Sequence, residues 1–186
     1  MRLFVTLELP EDHRGALAAV CERGKRSGVR WVPAENVHLT LKFLGEVDED
    51  LTPDLKTALG GVAVGTKPFD ISLAGSGCFP NPRTPAVIWI GVEAGAEAAV
   101  ELAAAVDEAV APLGFKKEKR PFKPHLTIGR TRDNREGRDT ITVKTKQLKN
   151  FAAAAGRAEA LALMKSTLTP DGAIYEEVAS FPLGGD

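Results

Sequence analysis

Histidine, cysteine and tyrosine are scarce in this chain: 186 residues carry three, two and one of them. Cys21 and Cys78 stand apart with no CxxC spacing. A disulfide framework and a cysteine-built zinc site therefore fall away, and two free thiols in a reducing compartment are expected. No stretch approaches the roughly 20 apolar residues of a membrane-spanning helix. The opening "MRLFVTLELPED" has one arginine and a short apolar run, then meets Glu11 and Asp12 without a small-residue cleavage site. It reads as a first strand and not as a signal peptide, which makes the cytoplasm the expected compartment. No glycine-rich phosphate loop, HExxH or Ser-His-Asp order occurs, and the acids form no paired motif.

Two of the three histidines open the same word. His38-Leu39-Thr40 and His125-Leu126-Thr127 lie 87 residues apart. The first sits in "NVHLTLKFLG", which alternates: Val37, Leu39, Leu41 and Phe43 on one face, His38, Thr40 and Lys42 on the other. That is the pattern of a half-buried strand. Residues two apart on a strand point the same way, roughly 7 Å from each other. Each word therefore projects an imidazole and a hydroxyl together. One such word alone would be polar surface, and Thr40 and Thr127 taken singly are ordinary strand formers. His13 falls in the first turn of a charged helix and is expected to be solvated.

The remaining pattern alternates strands and helices. Strands are expected at 2–9, 29–32, 69–79, 86–92, 124–131 and 173–183. Helices are expected at about 11–26, 50–60 and 95–114. The last is Ala-rich, with Val and Leu at helical spacing before Pro112 and Gly114. By propensity 151–165 is helical too, though Gly156 interrupts it. Each half of about 90 residues contributes one HLT strand, so the chain reads as a weak internal repeat: two pseudo-symmetric lobes in one unit over 1–186.

Two imidazoles and two hydroxyls facing one cleft suit displacement at phosphorus. A base must take a proton from the attacking oxygen, and an acid must protonate the leaving one. Histidine serves both, with an ordinary pKa of about 6.5. Hydroxyls and a cation hold the non-bridging oxygens. Arg130 offers a planar fork for that purpose. Strict alternation, however, puts it on the face opposite His125, so a bulge near Gly129 is needed to bring it round. Lys42 has the right parity for a second cation, against the simpler reading of a solvated surface lysine. The net charge of −1 also hides a segregation. From Lys116 to Arg132 there are seven basic residues and one acid, which leaves 17 basic and 24 acidic residues elsewhere. A basic run flanking the second HLT favours a phosphate or RNA partner.

The sequence resembles the two-histidine phosphoesterases, whose signature is a doubled H-x-[ST]-x, each copy on a strand. Within them it is similar to the RNA 2′,3′-cyclic phosphodiesterase family, also described as 2′-5′ RNA ligases. "RLFVTLELP", "RWVPAENVHLTLKFLGEV", "GCFPNPRTPAVIWIGV", "PFKPHLTIGR" and "LMKSTLTPDGAIYEEVASFPL" carry the resemblance, which is weakest at 133–157. At "LMKS" the chain lacks an aromatic that the family often has. The resemblance implies an α+β bilobal fold, each lobe an antiparallel sheet backed by helices, with the active cleft between them. It places a helix within 133–150 and a strand from about Ala158 to Leu168, against the propensity of the Ala-rich stretch. It implies catalytic His38 and His125, with Thr40, Thr127 and Arg130 binding substrate and no metal or cofactor. The implied partner is an RNA or oligonucleotide with a 2′,3′-cyclic phosphate end, opened to a 2′-phosphate by a monomeric enzyme, with weak 2′-5′ ligation in reverse. A related hydrolase of ADP-ribose cyclic phosphate or another cyclic nucleotide, and a non-catalytic module holding RNA ends, are the competing readings.

Overall fold

The computed structural model describes residues 1–21, 25–131, 134–170 and 172–184, without the side chains of 25 and 26. Ten strands form one strongly curled antiparallel sheet: β1 (Arg2–Leu7), β2 (Lys25–Arg26), β3 (Val29–Trp31), β4 (Leu39–Glu46), β5 (Phe69–Phe79), β6 (Val87–Val92), β7 (His125–Thr131), β8 (Ala152–Ala158), β9 (Ala160–Thr169) and β10 (Gly172–Pro182). The main path runs β10-β9-β1-β4-β7-β6-β5-β8, with the short β2–β3 ribbon attached to β7. A pseudo-twofold passes between β4 and β7, leaving four strands on each side. The fold is the expected α+β pair of lobes about a cleft.

The lobes are not the two halves of the sequence. β9 and β10 return to complete the lobe begun by β1 and β4, while β5 to β8 make the other. The helices cross over as well. α1 (Glu11–Ala18) follows β1 yet packs on β8, and α3 (Ala96–Val110) follows β6 yet packs on β4. α2 (Thr52–Gly65) stays with β9 and β10, and α4 (Arg135–Gln147) with β5 and β6. Their apolar residues recur at helical spacing and are buried: Leu55, Leu59 and Ala63 on α2, and Ala99, Leu102, Ala103, Val106 and Val110 on α3. Both helices end where the left-handed or extended backbone begins, at Gly114 after the short turn beyond α3 and at Thr66 after α2.

Three sequence expectations need correction. The stretch 151–165 is not the helix its propensity suggests but the whole of β8, the β8–β9 connection and the start of β9, in line with the strand the resemblance places at about Ala158 to Leu168, because pairing with β5 and β1 outweighs alanine's helical propensity. Gly156 fits that strand for a steric reason: a Cβ there would come within 2.6 Å of Pro10 at the head of α1. The first helix stops at Ala18, well short of residue 26, although 22–24 lie outside the described residues. His13 is fully buried under β8 and not solvated. Its Nε2–H donates to the Ala154 carbonyl at 2.8 Å, which uses the histidine as a strut between helix and edge strand.

Candidate active site

β4 and β7 meet at a single ladder pair, Leu39 opposite Leu126. Both leucines point into the core and are fully buried. Their neighbours on each strand consequently face the other way, into the cleft. In antiparallel register Thr40 lies across from His125, and His38 across from Thr127. The histidines are diagonal neighbours, a relation that spans about 7–8 Å in a regular antiparallel pair, somewhat less between Cβ atoms. The two HLT words thus become one crossed square about the pseudo-twofold.

A bulge then resets the alternation in both strands at the same place. On β7, Thr127 pairs with Trp89 and Gly129 with Ile88, so Ile128 is the extra residue. On β4, Thr40 pairs with Thr6 and Lys42 with Val5, so Leu41 is the extra residue. Each bulge falls three residues after its histidine. Past it, parity is reversed. Arg130 joins the face of His125 and Thr127, opposite Val87, which shares a face with Trp89 and Gly91 on β6. The expected obstacle to Arg130 is removed by the bulge beside Gly129. Its charge reaches His38, His125 and Tyr175 together.

The same reset corrects both readings of Lys42. It turns away from the cleft and is 3% exposed. Its Nζ donates to Asp107 on α3 and to the Lys116 carbonyl at 2.9 Å. Burial acts to raise the Asp107 pKa, but the hydrogen bonds from Lys42 and the Glu118 N–H outweigh it and hold the carboxyl below its usual range. Phe43, expected on the apolar face, comes round to the cleft instead and is 63% exposed.

The two imidazoles are held alike. His38 Nδ1 contacts the Asn36 carbonyl at 2.8 Å, and His125 Nδ1 contacts the Lys123 carbonyl at 2.6 Å, each two residues upstream. A carbonyl accepts only, so Nδ1 carries hydrogen and Nε2 is left for the cleft. Each ring is also fixed by two aromatics. Phe4 and Tyr175 stand 5.0 and 5.1 Å from His38, Tyr175 edge-on. Phe79 and Trp89 stand 4.9 and 6.2 Å from His125. Trp89 in turn lies flat over Gly77, where a Cβ would come within 2.2 Å of the indole. Sequence reasoning missed these four residues. Phe4 and Trp89 lie on the strands next to β4 and β7, Phe79 and Tyr175 on strands farther out, and a sequence without pairings reveals neither placement.

Burial pushes both histidine pKa values below the ordinary one. The bond from Nδ1–H to a carbonyl opposes that shift, and the Arg130 charge adds to it. Among the described residues no three His, Cys, Asp or Glu side chains gather where they could hold one metal ion. What the site offers is a pair of imidazoles whose charged form burial disfavours, two hydroxyls and one guanidinium.

Comparison with known proteins gives the family. The family model of the 2′-5′ RNA ligase superfamily matches residues 9–169. The chain belongs to the 2′-5′ RNA ligase superfamily. Among curated members, an RNA 2′,3′-cyclic phosphodiesterase of Methanocaldococcus jannaschii is 40% identical over 180 residues, covering 96% of this chain and 98% of that protein. One of Archaeoglobus fulgidus is 39% identical over 185 residues, covering 97% and 99%. Among solved members of the fold, TT0787 of Thermus thermophilus superposes with a TM-score of 0.81 at 31% identity over the full length of both chains. E. coli LigT, solved with 3′-AMP, shares the fold at a TM-score of 0.75 and 23% identity, covering 98% of this chain and 97% of that one. Among the described residues of this superfamily member, no helix is long and apolar enough to cross a membrane.

Proposed function

We propose that this chain hydrolyses the terminal 2′,3′-cyclic phosphate of RNA to a 2′-phosphate without a metal; its curated relatives are named RNA 2′,3′-cyclic phosphodiesterases. The observation that carries the reading is the matched tethering of two imidazoles on one cleft face, each with Nε2 free and one guanidinium within electrostatic reach of both. Water attacks phosphorus in line with O3′. His125 takes the water's proton through Nε2 as the O–P bond forms. His38, protonated, delivers its proton to O3′ as the P–O3′ bond breaks. Thr40, Thr127 and Arg130 hold the non-bridging oxygens, where charge shifts in the transition state. With a 5′-hydroxyl in place of water the same forward steps, O5′–P bond forming and P–O3′ bond breaking, give weak 2′-5′ joining, and their reverse cleaves that linkage back to the cyclic phosphate. The unit spans 1–186 and works as a monomer in the cytoplasm.

Both lowered pKa values suit the base directly. The acid must gain a proton, and the anionic cyclic phosphate supplies the reason, since a negative charge beside an imidazole favours its charged form. The test is turnover of an oligonucleotide with a 2′,3′-cyclic phosphate end in the presence of a strong chelator, with the product's phosphate position identified. A 2′-phosphate product at an unchanged rate is expected. A 3′-phosphate product, or loss of activity restored by added metal, would overturn the mechanism. Faster turnover of ADP-ribose cyclic phosphate would reassign the substrate while keeping the chemistry.

A further inference from the structure

The cleft has two unlike ends. Strand direction puts Thr40, His125 and then Phe43 toward one end, because β4 runs outward from Leu39 as β7 is traced back from Leu126. At that end the segment from Phe115 to Pro124 crosses from the helical layer to the cleft floor and delivers His125. It is irregular, and its residues 116–121 and 123 are exposed. It is nonetheless fastened. Lys42 holds the Lys116 carbonyl, the Glu118 N–H donates to both Asp107 oxygens at 3.1 and 3.3 Å, and Lys117 pairs with Glu108. Phe115 and Phe122 pack against the core. The fastening uses up Lys117 and the backbone of 116 and 118. Lys119, Arg120 and Lys123 have no ion pair among the described residues. By strand direction Phe43 lies toward the same end of the cleft, a large aromatic left exposed.

A held loop of unpaired cations at the same end as an exposed ring is the combination that binds single-stranded nucleic acid. Cations track the backbone phosphates, and the ring offers its face to a base. A merely solvated basic run has no need of a buried lysine paired with the half-buried Asp107 to fix its course.

We propose that the RNA strand 5′ of the cyclic end leaves the cleft over this loop, with Lys119, Arg120 and Lys123 contacting its phosphates and Phe43 stacking on a base. The proposal rests on the phosphodiesterase reading and adds to it: the enzyme reads a single strand beyond the terminal nucleotide and so favours oligonucleotides over cyclic mononucleotides. The pseudo-symmetric position of Phe43 is Arg130, each five residues after its histidine. One strand therefore presents a ring where the other presents a cation.

The experiment compares wild type with Lys119→Ala/Arg120→Ala on two substrates, a cyclic-ended oligonucleotide and a 2′,3′-cyclic mononucleotide, across salt concentration. Expected is a loss of about tenfold in kcat/KM on the oligonucleotide, with the mononucleotide within about twofold. The dependence of log affinity on log salt should shallow by about 1.4, two contacts at roughly 0.7 each. Equal losses on both substrates, or none on either, overturn the proposal. Anisotropy of a labelled oligonucleotide ending in 2′-phosphate reads the same surface without turnover. Wild type inactive on every cyclic end while the variant binds that oligonucleotide about tenfold more weakly would refute the activity and keep the surface. Active wild type with unchanged binding in the variant would do the reverse.

Discussion

The two sides of the cleft are built to one plan and finished differently. On the His38 side, Phe4 and Tyr175 enclose the ring, the third residue past the threonine is the exposed Phe43, and the flanking strands come from both ends of the chain. On the His125 side, Phe79 and Trp89 enclose the ring, the matching residue is Arg130, and all four strands lie within 69–158. The shared part is the part chemistry requires: an Nδ1–H tied to a carbonyl, an Nε2 in the cleft and a hydroxyl two residues on. What differs is what substrate contacts require. Symmetry thus presents the two imidazoles of the proposed acid and base from one motif, and the departures from symmetry give the cleft a direction.

The most forceful way to break the comparison is to remove each imidazole in turn. His38→Ala and His125→Ala should each lower kcat/KM by about 10²–10⁴-fold on the natural cyclic phosphate. A substrate with a much better leaving group at the 3′ side should partly restore His38→Ala and leave His125→Ala impaired. Restoration of His125→Ala alone would exchange the two roles, and near-normal activity of both would end the two-histidine mechanism. Next in size is Arg130→Lys, which keeps the charge and loses the fork; a drop of about tenfold or more is expected in steady-state kinetics. Arg130→Ala carries a second readout. Its charge now lowers both histidine pKa values, so its loss should raise both in NMR titration. If only one moves, the arginine belongs to one side and not to the pair.

A smaller effect isolates one side. Gly77→Ala puts a methyl where the Trp89 indole lies, and Trp89 flanks His125 alone. Overpacking of this kind costs about 1–3 kcal/mol. Melting temperature should fall, kcat should fall with it, and the NMR signals of His38 should stay in place. The gentlest test is the pH profile. A base works while neutral and an acid while protonated, so activity fails below the base's pKa and above the acid's. Both are lowered in the free enzyme, so the kcat/KM bell should centre below about 6.5, with limbs that belong to the coupled pair. The bound phosphate favours the imidazolium, so the kcat profile should lie at higher pH than the kcat/KM profile. A kcat/KM optimum well above 7 would contradict the lowered values.

Much of the site was legible because its spacing is local. Histidine and threonine two apart on an alternating strand must share a face, and that held for both words. Arg130 and Lys42 show where local reasoning ends. One extra residue, Ile128 or Leu41, is invisible to periodicity and reverses everything after it. So Arg130, disfavoured by parity, faces the cleft, and Lys42, favoured by it, lies against α3. The lobes were legible as a repeat but not as an exchange, because no residue in α1 or α3 announces which sheet it will cover. β8 was misread by propensity for the same reason: the partner that makes it a strand lies some 80 residues earlier. His13 escaped because its carbonyl partner, Ala154, is 141 residues away.

The late return of β9 and β10 has a consequence for the order in which the enzyme becomes competent during synthesis. Everything that positions His125 has been made once residue 158 is added, including both flanking aromatics. His38 is translated far earlier, yet its edge-on neighbour Tyr175 is placed only when the final hairpin pairs with β1. Under the proposed roles, a nascent chain on the ribosome has its base in place before its acid is seated. On that reading, chains arrested before residue 160 should bind a phosphate group weakly and turn nothing over, and turnover should begin only after the last strand has left the exit tunnel.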